Sequence, residues 1–315
     1  MNSSRSRCDN DPARVVAEAV AAHGAYRHGI ARAEAVDDAS MRDYSDWIGH
    51  GCHAGMEYLA KYDDVRRDPR LLLEGARSLI VCAFPYARPV RFEPGYLRVA
   101  SYALGDDYHD VIRRRLGEAA REIDEALGST SRVCVDTAPL RERYWAVRSG
   151  LGYIGLNDQL ILPGAGSYFF IGTIVTTADL TPHEPCRMKC IGCRRCIACC
   201  PSGALTADPK PKVDARRCLS CLTIEHRGPF GDPPPRLDGR LYGCDTCQLV
   251  CPHNRVVEGM PEVEPIPEFQ PRPELLQLTR ERVADMTPEE YHQLFRGSAM
   301  RRCKLPDLKR NASTP

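Results

Sequence analysis

The stretch CIGCRRCIACCP at residues 190–201 decides the fold of this chain, and a shorter copy, CDTCQLVCP, follows at residues 244–252. In such runs, closely spaced thiolates bind one [4Fe–4S] cluster. The cysteine that stands before proline reaches across to a second cluster. Two copies therefore predict two clusters. Tetrahedral zinc also uses paired CxxC motifs and is the alternative, but zinc sites do not need the Cys-Pro ending.

The pseudo-symmetry of the two copies assigns most of the ligands. Cys251 should complete the cluster of the first copy, and Cys200 should join Cys244 and Cys247 on the second cluster. One ligand is then missing from the second cluster. Either Cys218 or Cys221, which lie between the two copies, could supply it.

The composition agrees with a redox protein in a reducing compartment. Eleven of the 16 cysteines lie between Cys186 and Cys251, and such clustering indicates metal binding in the cytoplasm, where disulfides are rare. The net charge of +1 excludes a global attraction to nucleic acid or membranes. No apolar run approaches the roughly 18 residues that cross a bilayer. The N-terminus shows no secretion or twin-arginine signal. We expect a cytoplasmic, monomeric protein with no membrane contact.

The periodicity of apolar residues predicts three regions. Residues 1–180 read as an α/β (α+β) domain, 181–258 as a ferredoxin-like 2[4Fe–4S] domain, and 259–315 as a linker and a short helical tail. In the first region we predict helices over residues 11–35, 110–127 and 137–149, and strands over residues 78–84, 132–136, 160–162 and 168–175.

Two motifs in the first region are weaker signals. Gly150-x-Gly152-x-x-Gly155 has the letters of a dinucleotide fingerprint, but a helical pattern precedes it where a strand is required. We interpret Gly150 as the end of a helix. His50 and His53 could bind a metal, but no third ligand is near them in the sequence, and we predict a loop or surface role.

The cysteine runs, together with other segments, resemble the epoxyqueuosine reductase family. These segments are DVRRDPRLLLEGARSLI (64–80), ALGDDYHDVIRRRL (103–116), VDTAPLRER (135–143), LGYIGLN (151–157) and FRGSAMRRCKLPDLKRNA (295–312). The resemblance implies an enzyme that reduces epoxyqueuosine at the wobble position of certain tRNAs to queuosine, the last step of queuosine biosynthesis. It also implies base-off cobalamin and two [4Fe–4S] clusters as cofactors, and an external low-potential electron donor.

The resemblance also implies roles for individual residues. It assigns Cys190, Cys193, Cys196 and Cys251 to the first cluster and Cys200, Cys218, Cys244 and Cys247 to the second. Asp136 matches the family's proton donor. The expected cobalamin contacts are Arg66, Asp136, Leu160, Ile171 and Ser220, and Arg143 is expected near the modified base.

Asp136 needs a physical condition for its role. Opening an epoxide to an alkene consumes two electrons and releases the oxygen as water, so an acid must protonate the departing oxygen. We expect Asp136 at the end of a buried strand, where desolvation would raise its pKa, and a following helix N-terminus would oppose that rise. The alternative is that Asp136 only caps this helix. His109 is the next candidate for the acid.

For tRNA we expect local basic patches on the nearly neutral chain. Arg301, Arg302, Lys304, Lys309 and Arg310 against Asp307 give a local charge of +4, and Arg227 adds a cation near the second cluster. Two other functions compete with this one. A corrinoid reductive dehalogenase is typically exported with a twin-arginine signal. A ferredoxin-type electron carrier would not need the roughly 180 residues before the cysteine module.

Overall fold

The computed structural model describes residues 11–206, 212–255 and 263–315. Its centre is a four-stranded antiparallel sheet in the order β1-β2-β7-β4. These strands are β1 Arg27–Arg32, β2 Ser78–Pro85, β7 Phe169–Thr176 and β4 Ser131–Cys134. Every residue of β2 is buried, because this apolar strand is paired on both edges and covered on both faces.

Helices cover both faces of the sheet, and glycine allows the close approach on each. On one face, α1 (Pro12–Ala22) and α4 (Tyr108–Leu127) pack over Ile80 and Ile174. A Cβ on Gly172 of β7 would lie 2.5 Å from the Leu116 side chain of α4. On the other face lies α5 (Glu142–Arg148), and a Cβ on Gly29 would lie 2.1 Å from the Ser149 carbonyl oxygen at its end. Glycine is required where backbones approach so closely.

The other elements are short. A hairpin joins β5 (Tyr153–Ile154) to β6 (Leu160–Ile161), and β3 (Arg98–Val99) pairs in parallel with β8 (Arg240–Tyr242). The remaining helices are α2 Asp38–Gly49, α3 Asp63–Arg67, α6 Arg195–Ala198, α7 Leu219–Ile224, α8 Thr246–Leu249, α9 Arg280–Asp285, α10 Pro288–Leu294 and α11 Leu305–Ser313. Single 3₁₀ turns are Glu57–Leu59, Pro69–Leu72, Ser101–Ala103, Pro252–Asn254, Pro267–Phe269, Pro273–Leu276 and Ala299–Arg302.

The C-terminal segment is part of the core. Residues from 97–104 of the first region, 224–242 of the cysteine module and 275–312 form one buried cluster around Tyr242, Phe295 and Leu308. The Asn311 side chain donates hydrogen bonds to the carbonyl oxygens of Thr223 and Leu241, at 2.8 and 3.0 Å. Residues 263–315 therefore pack against both the first region and the cysteine module and join the two.

The structure confirms most predicted elements and corrects three. The helix predicted over residues 11–35 ends at Ala22, because Gly24 takes a left-handed φ of 90° and Arg27–Arg32 pairs with β2. The strand predicted to reach Asp136 ends at Cys134. The helix predicted from residue 137 begins at Glu142. Gly150 follows α5 with a φ of 78°, as a helix end requires. None of the helices in the described ranges is long and apolar enough to span a bilayer.

Candidate functional site

The first set of cysteines surrounds a cavity. Cys190, Cys193, Cys196 and Cys251 line one small hollow, together with Leu156, Ile161 and Pro252. The short helix α6 carries Cys196, and Cys251 immediately follows α8. Thiols distributed around a space of this kind suit a polynuclear cluster, whose irons each take one thiolate.

The second set lies beside the first. Burial raises the pKa of the Cys218 thiol, and the nearby thiols of Cys244 and Cys200 raise it further. Cys247 interacts with Cys244 and Cys218, and also with Cys196 of the first set. Burial raises the pKa of Cys221 to about 12, and the charges of Cys218, Glu225 and Asp214 contribute to this rise. Cys218 thus interacts electrostatically with the other three thiols, whereas two of the three charges acting on Cys221 come from acidic side chains.

A chain of hydrogen bonds leads to Asp136. His109 Nδ1 lies 2.7 Å from Asp107 Oδ1, and His109 Nε2 lies 3.0 Å from Asp136 Oδ2. Burial lowers the pKa of His109, but the two carboxylates outweigh it and raise the pKa to about 9. With a carboxylate at each ring nitrogen, His109 is an imidazolium that donates both hydrogen bonds.

Asp136 is ionised in this arrangement. Partial burial works to raise its pKa, but the hydrogen bond and charge of His109 prevail and lower it, with help from the Tyr108 hydroxyl and Arg143. In the protein alone His109 thus prevails over burial, and a raised Asp136 pKa would need the further burial that the corrinoid and substrate would provide. Asp136 has a left-handed φ of 48°, and 56% of its side chain is exposed.

The helix-cap interpretation of Asp136 is wrong. Helix α5 begins only at Glu142, and its N-cap residue, Arg141, makes no side-chain cap. The backbone N–H of Asp136 instead donates to Glu142 Oε1 at 2.8 Å. Burial, and then the charge of Asp136, raise the pKa of Glu142. Both effects favour the protonated form of Glu142 next to Asp136.

The loop before α3 connects Asp136 to the cysteine module. Arg66 is buried and donates to the carbonyl oxygens of Tyr58 and Lys61, both at 3.1 Å, so it holds this loop in place. Tyr58 is 44% exposed. Burial raises its pKa to about 12, and the charges that also act on it include Glu225, Arg302, Asp136 and Cys221. Tyr58 is therefore within electrostatic range of both the Asp136 carboxyl and Cys221 on helix α7, which also carries Ser220.

An apolar surface adjoins this space. Leu160 is buried and Ile171 is half-buried on the sheet face that α5 covers, where Ile154 and Phe169 also remain partly exposed. Thr173 Oγ1, two residues along the same strand from Ile171, is buried and has no hydrogen-bond partner among the described residues. The partly exposed apolar side chains on this face fit the wall of a site for a large amphipathic cofactor such as a corrinoid.

The side chains that are expected to contact RNA differ in whether they already form ion pairs within the protein. Arg301 is exposed, whereas Arg302 pairs with Glu225 at 2.7 Å and Arg143 with Asp158 at 2.8 Å. Lys304 is exposed, and its Nζ lies 3.5 Å from the Arg301 carbonyl oxygen.

The pair of Arg302 with Glu225 reduces the predicted local charge of +4, in which Asp307 is already counted. Arg227 lies 3.6 Å from Asp307. Arg310 is only 12% exposed, pairs with the same carboxylate and packs on Phe230. Arg310 is therefore a structural residue.

Sequence reasoning missed several members of the site. Asp107 is the N-cap of α4, a position that its place before an amphipathic run could have indicated. No local pattern points to Glu142, Tyr58 or Glu225, because only the fold brings them to Asp136 and α7. His109 was anticipated only as a substitute for Asp136, whereas the two side chains are hydrogen-bonded partners.

Comparisons with known proteins match most of the chain. Residues 66–137 match the family model "Epoxyqueuosine reductase QueG, DUF1730", and residues 189–254 match "4Fe-4S double cluster binding domain". The epoxyqueuosine reductase of Gloeobacter violaceus is 37% identical, over 92% of this chain and 91% of its own. That of Synechococcus sp. CC9605 is 39% identical, over 85% of this chain and 82% of its own.

Two solved structures are similar throughout. An epoxyqueuosine reductase bound to an epoxyqueuosine-modified tRNA-Tyr stem loop superposes with a TM-score of 0.82 at 26% identity, over 95% of this chain and 79% of its own. The enzyme of Bacillus subtilis, with its catalytic aspartate loop swung out of the active site, superposes with a TM-score of 0.84 at 26% identity and the same coverage.

The protonation of His109 is directly testable. Asp107→Asn should lower the pKa of His109 from about 9 toward its ordinary value of 6.5, as NMR titration of the imidazole would report. Asp110→Asn, at an exposed carboxylate on the same helix turn, is the matched control and should leave the titration unchanged.

The stability that this ion network contributes should follow the same titration. Because the folded-state pKa is raised, the contribution is full below about pH 6.5 and is lost as the pH rises through about 9. A His109 that titrates near 6.5 in the unsubstituted protein would contradict the network.

Proposed function

The chain belongs to the epoxyqueuosine reductase family, and we propose that it reduces epoxyqueuosine in tRNA to queuosine, the last step of queuosine biosynthesis. The observation that carries this proposal is the hydrogen-bonded Asp136–His109 pair in a chain with a double-cluster module, with Tyr58 in electrostatic range of both Asp136 and Cys221. An electron carrier would not need the pair. A dehalogenase is disfavoured because the relatives that align with nearly the whole chain bear the epoxyqueuosine reductase name.

The match to a 4Fe–4S double cluster binding domain answers the zinc alternative. We assign Cys190, Cys193, Cys196 and Cys251 to the first cluster, which their common cavity supports. We assign Cys200, Cys218, Cys244 and Cys247 to the second, which the mutual interaction of their thiols supports. Clusters in these positions would pass single electrons toward α7.

Cobalamin is the second cofactor that we propose. Ile171 and the Leu160 cluster would border it on the sheet side, Asp136 and the loop held by Arg66 on another, and Ser220 on the side of the cysteine module. When bound, cobalamin would supply a low-valent cobalt centre that is a strong nucleophile. The residues of this chain would fix its position between the electron source and the proton source and exclude water from the reacting carbon.

Protons must accompany the electrons. Converting an epoxide to an alkene and water consumes two electrons and two protons. Asp136 is the exposed member of its network, and we propose that it delivers to the departing oxygen a proton that His109 holds. Glu142, hydrogen-bonded to the Asp136 backbone, would hold the second. Asp136 has a left-handed backbone, and in the Bacillus subtilis enzyme a catalytic aspartate loop is swung out of the active site.

The proposed substrate is a tRNA that carries epoxyqueuosine, as in the solved stem-loop complex. We propose that Arg301, Arg302 and Lys304 contact its phosphates, that Arg227 adds to this surface, and that Arg143 lies near the modified base. We propose the cytoplasm as its compartment, because free thiols persist there. An external low-potential donor would supply the electrons.

Asp136→Asn tests the acid. The amide keeps the shape and the backbone hydrogen bond but cannot deliver a proton, so reduction of the epoxide should fall by about 10²–10⁴-fold. Mass spectrometry of tRNA nucleosides after incubation with reconstituted enzyme measures the product. Corrinoid content, iron content and stem-loop affinity should stay within about a few-fold, as in the control Asp110→Asn. A fully loaded Asp136→Asn enzyme with near-normal activity would remove Asp136 from the mechanism.

A pair of cysteine variants tests the second cluster. Cys218→Ala should leave about four irons firmly bound, while Cys221→Ala should leave about eight, because only Cys218 is proposed as a ligand. Iron and sulfide analysis of the purified proteins distinguishes them. If Cys221→Ala loses the second cluster and Cys218→Ala keeps it, the assignment is reversed.

Arg301→Glu tests the RNA surface without breaking an ion pair between described residues. Stem-loop affinity should fall, and its dependence on salt should become shallower by about one phosphate contact. Fluorescence anisotropy at several salt concentrations is the measurement. The control is Arg121→Glu, which reverses the charge of an exposed arginine on helix α4, outside the C-terminal segment. Unchanged affinity and salt slope in Arg301→Glu would exclude Arg301 from the RNA contact.

A further inference from the structure

One exposed surface near the first cysteine set is unused by the proposed reaction. Met188 is 51% exposed and Ile191 is 64% exposed, two of the few large apolar side chains that the protein leaves in water. Ile191 also lines the cavity of the first set, and Cys193 is itself exposed. We call residues 187–195 the Met188 surface. The first cluster would therefore lie immediately beneath it.

The Met188 surface carries four uncompensated positive charges. Arg187, Lys189, Arg194 and Arg195 are all exposed, and none of their side chains has an ion pair or hydrogen bond within the described part of the chain. Elsewhere, most arginines near functional residues are paired, as Arg302 is with Glu225 and Arg115 with Glu268. No acid occurs between residues 187 and 195.

We propose that the Met188 surface docks a small acidic one-electron carrier protein, which reduces the first cluster. The cations would attract and orient the carrier, and Met188 and Ile191 would form the apolar centre of the contact, where methionine is favoured. Each docked carrier is oxidised by one electron, so two reduced carriers and two protons are consumed for each epoxide converted to an alkene and water. The proposal rests on the proposed function.

The arrangement of thiols gives the electron a direction. Cys196 of the first set interacts with Cys247 of the second, so the two clusters would be neighbours. Cys221, next to Ser220 on α7, interacts electrostatically with Tyr58, which in turn interacts with Asp136. An electron that enters under Met188 would thus pass the first cluster, then the second, and arrive on the side of Asp136.

An RNA phosphate backbone is the rival occupant of a basic surface. The Met188 surface lacks the aromatic side chains on which unpaired bases stack. It also lies over the first cysteine set, whereas Arg302 and Tyr58 belong to the side of the second set and Asp136. These features favour the protein carrier.

Charge reversal separates the two occupants. The variant Arg187→Glu/Lys189→Glu is compared with Arg42→Glu/Arg121→Glu, which reverses two exposed arginines on α2 and α4. Each holoenzyme, with its iron content verified and no tRNA present, is mixed anaerobically with flavodoxin hydroquinone. Stopped-flow absorbance follows the bleaching of the clusters and the appearance of the flavin semiquinone. At low salt the bimolecular rate should fall by about tenfold or more in the first variant only, and its salt dependence should flatten.

Two further measurements complete the test. Reduction by saturating methyl viologen, which needs no docking surface, should be equal in all the proteins. Met188→Ser retains every charge, so it should slow the flavodoxin reaction while preserving its salt dependence.

Several outcomes would overturn docking. One is an unchanged rate of reduction by flavodoxin in Arg187→Glu/Lys189→Glu, and another is an equal loss of rate with methyl viologen. A third is a loss of stem-loop affinity with normal flavodoxin reduction, which would identify an RNA surface. Failure of the proposed function would look different: fully reduced wild-type enzyme would form no queuosine while the flavodoxin result still stood.

Discussion

The buried cluster around Tyr242, Phe295 and Leu308 is the contact on which the rest of the molecule depends. It takes side chains from residues 97–104, from the cysteine module and from the C-terminal segment, so none of the three can shift alone. Asn311 donates to carbonyl oxygens on both α7 and β8. Asp245 adds a second tie, because it accepts hydrogen bonds from the Ser101 backbone and hydroxyl at 2.8 and 2.6 Å. Helix α7 is thereby fixed relative to the sheet whose strand β4 ends two residues before Asp136.

Electrostatic pairing determines which charges remain available. The chain is nearly neutral, and its cations are largely neutralised within the structure, as Arg310 is by Asp307 and Arg143 by Asp158. Against that background an exposed cation without a partner is informative. Arg301 lies on the C-terminal segment, and the cations of the Met188 surface lie over the first cysteine set. The two groups of cations thus belong to different segments of the chain.

The sequence was most informative where the signal is local. The cysteine spacing, strand β2 and helix α4 are each encoded in one short stretch, and the structure agrees with them. The prediction over residues 11–35 failed because helical spacing continues past Gly24, while pairing with the buried strand β2 overrides it.

The pKa of Asp136 could not be predicted for a different reason. Its partner His109 lies 27 positions earlier in the chain, and only the packing of Tyr108 on Phe170, with ring centroids 4.4 Å apart, brings the imidazole to it. Tyr58 and Glu225 meet across more than 160 residues, which no local pattern encodes.

The position of the proton explains why Asp136 can be both exposed and useful. A carboxyl with a raised pKa would need burial, and burial would keep it from a substrate as large as tRNA. Here the imidazolium of His109 holds the proton, and a hydrogen bond from its Nδ1 to Asp107 stabilises it. Asp136 therefore remains exposed and can face the substrate. When substrate and cofactor exclude water, the charged pair loses solvation, and transfer of the proton from imidazolium to carboxylate becomes less unfavourable because it leaves two neutral groups. Closure of the site would then create the acid at the moment it is needed, and the rigid contact around Tyr242 ensures that the second cluster is already in place.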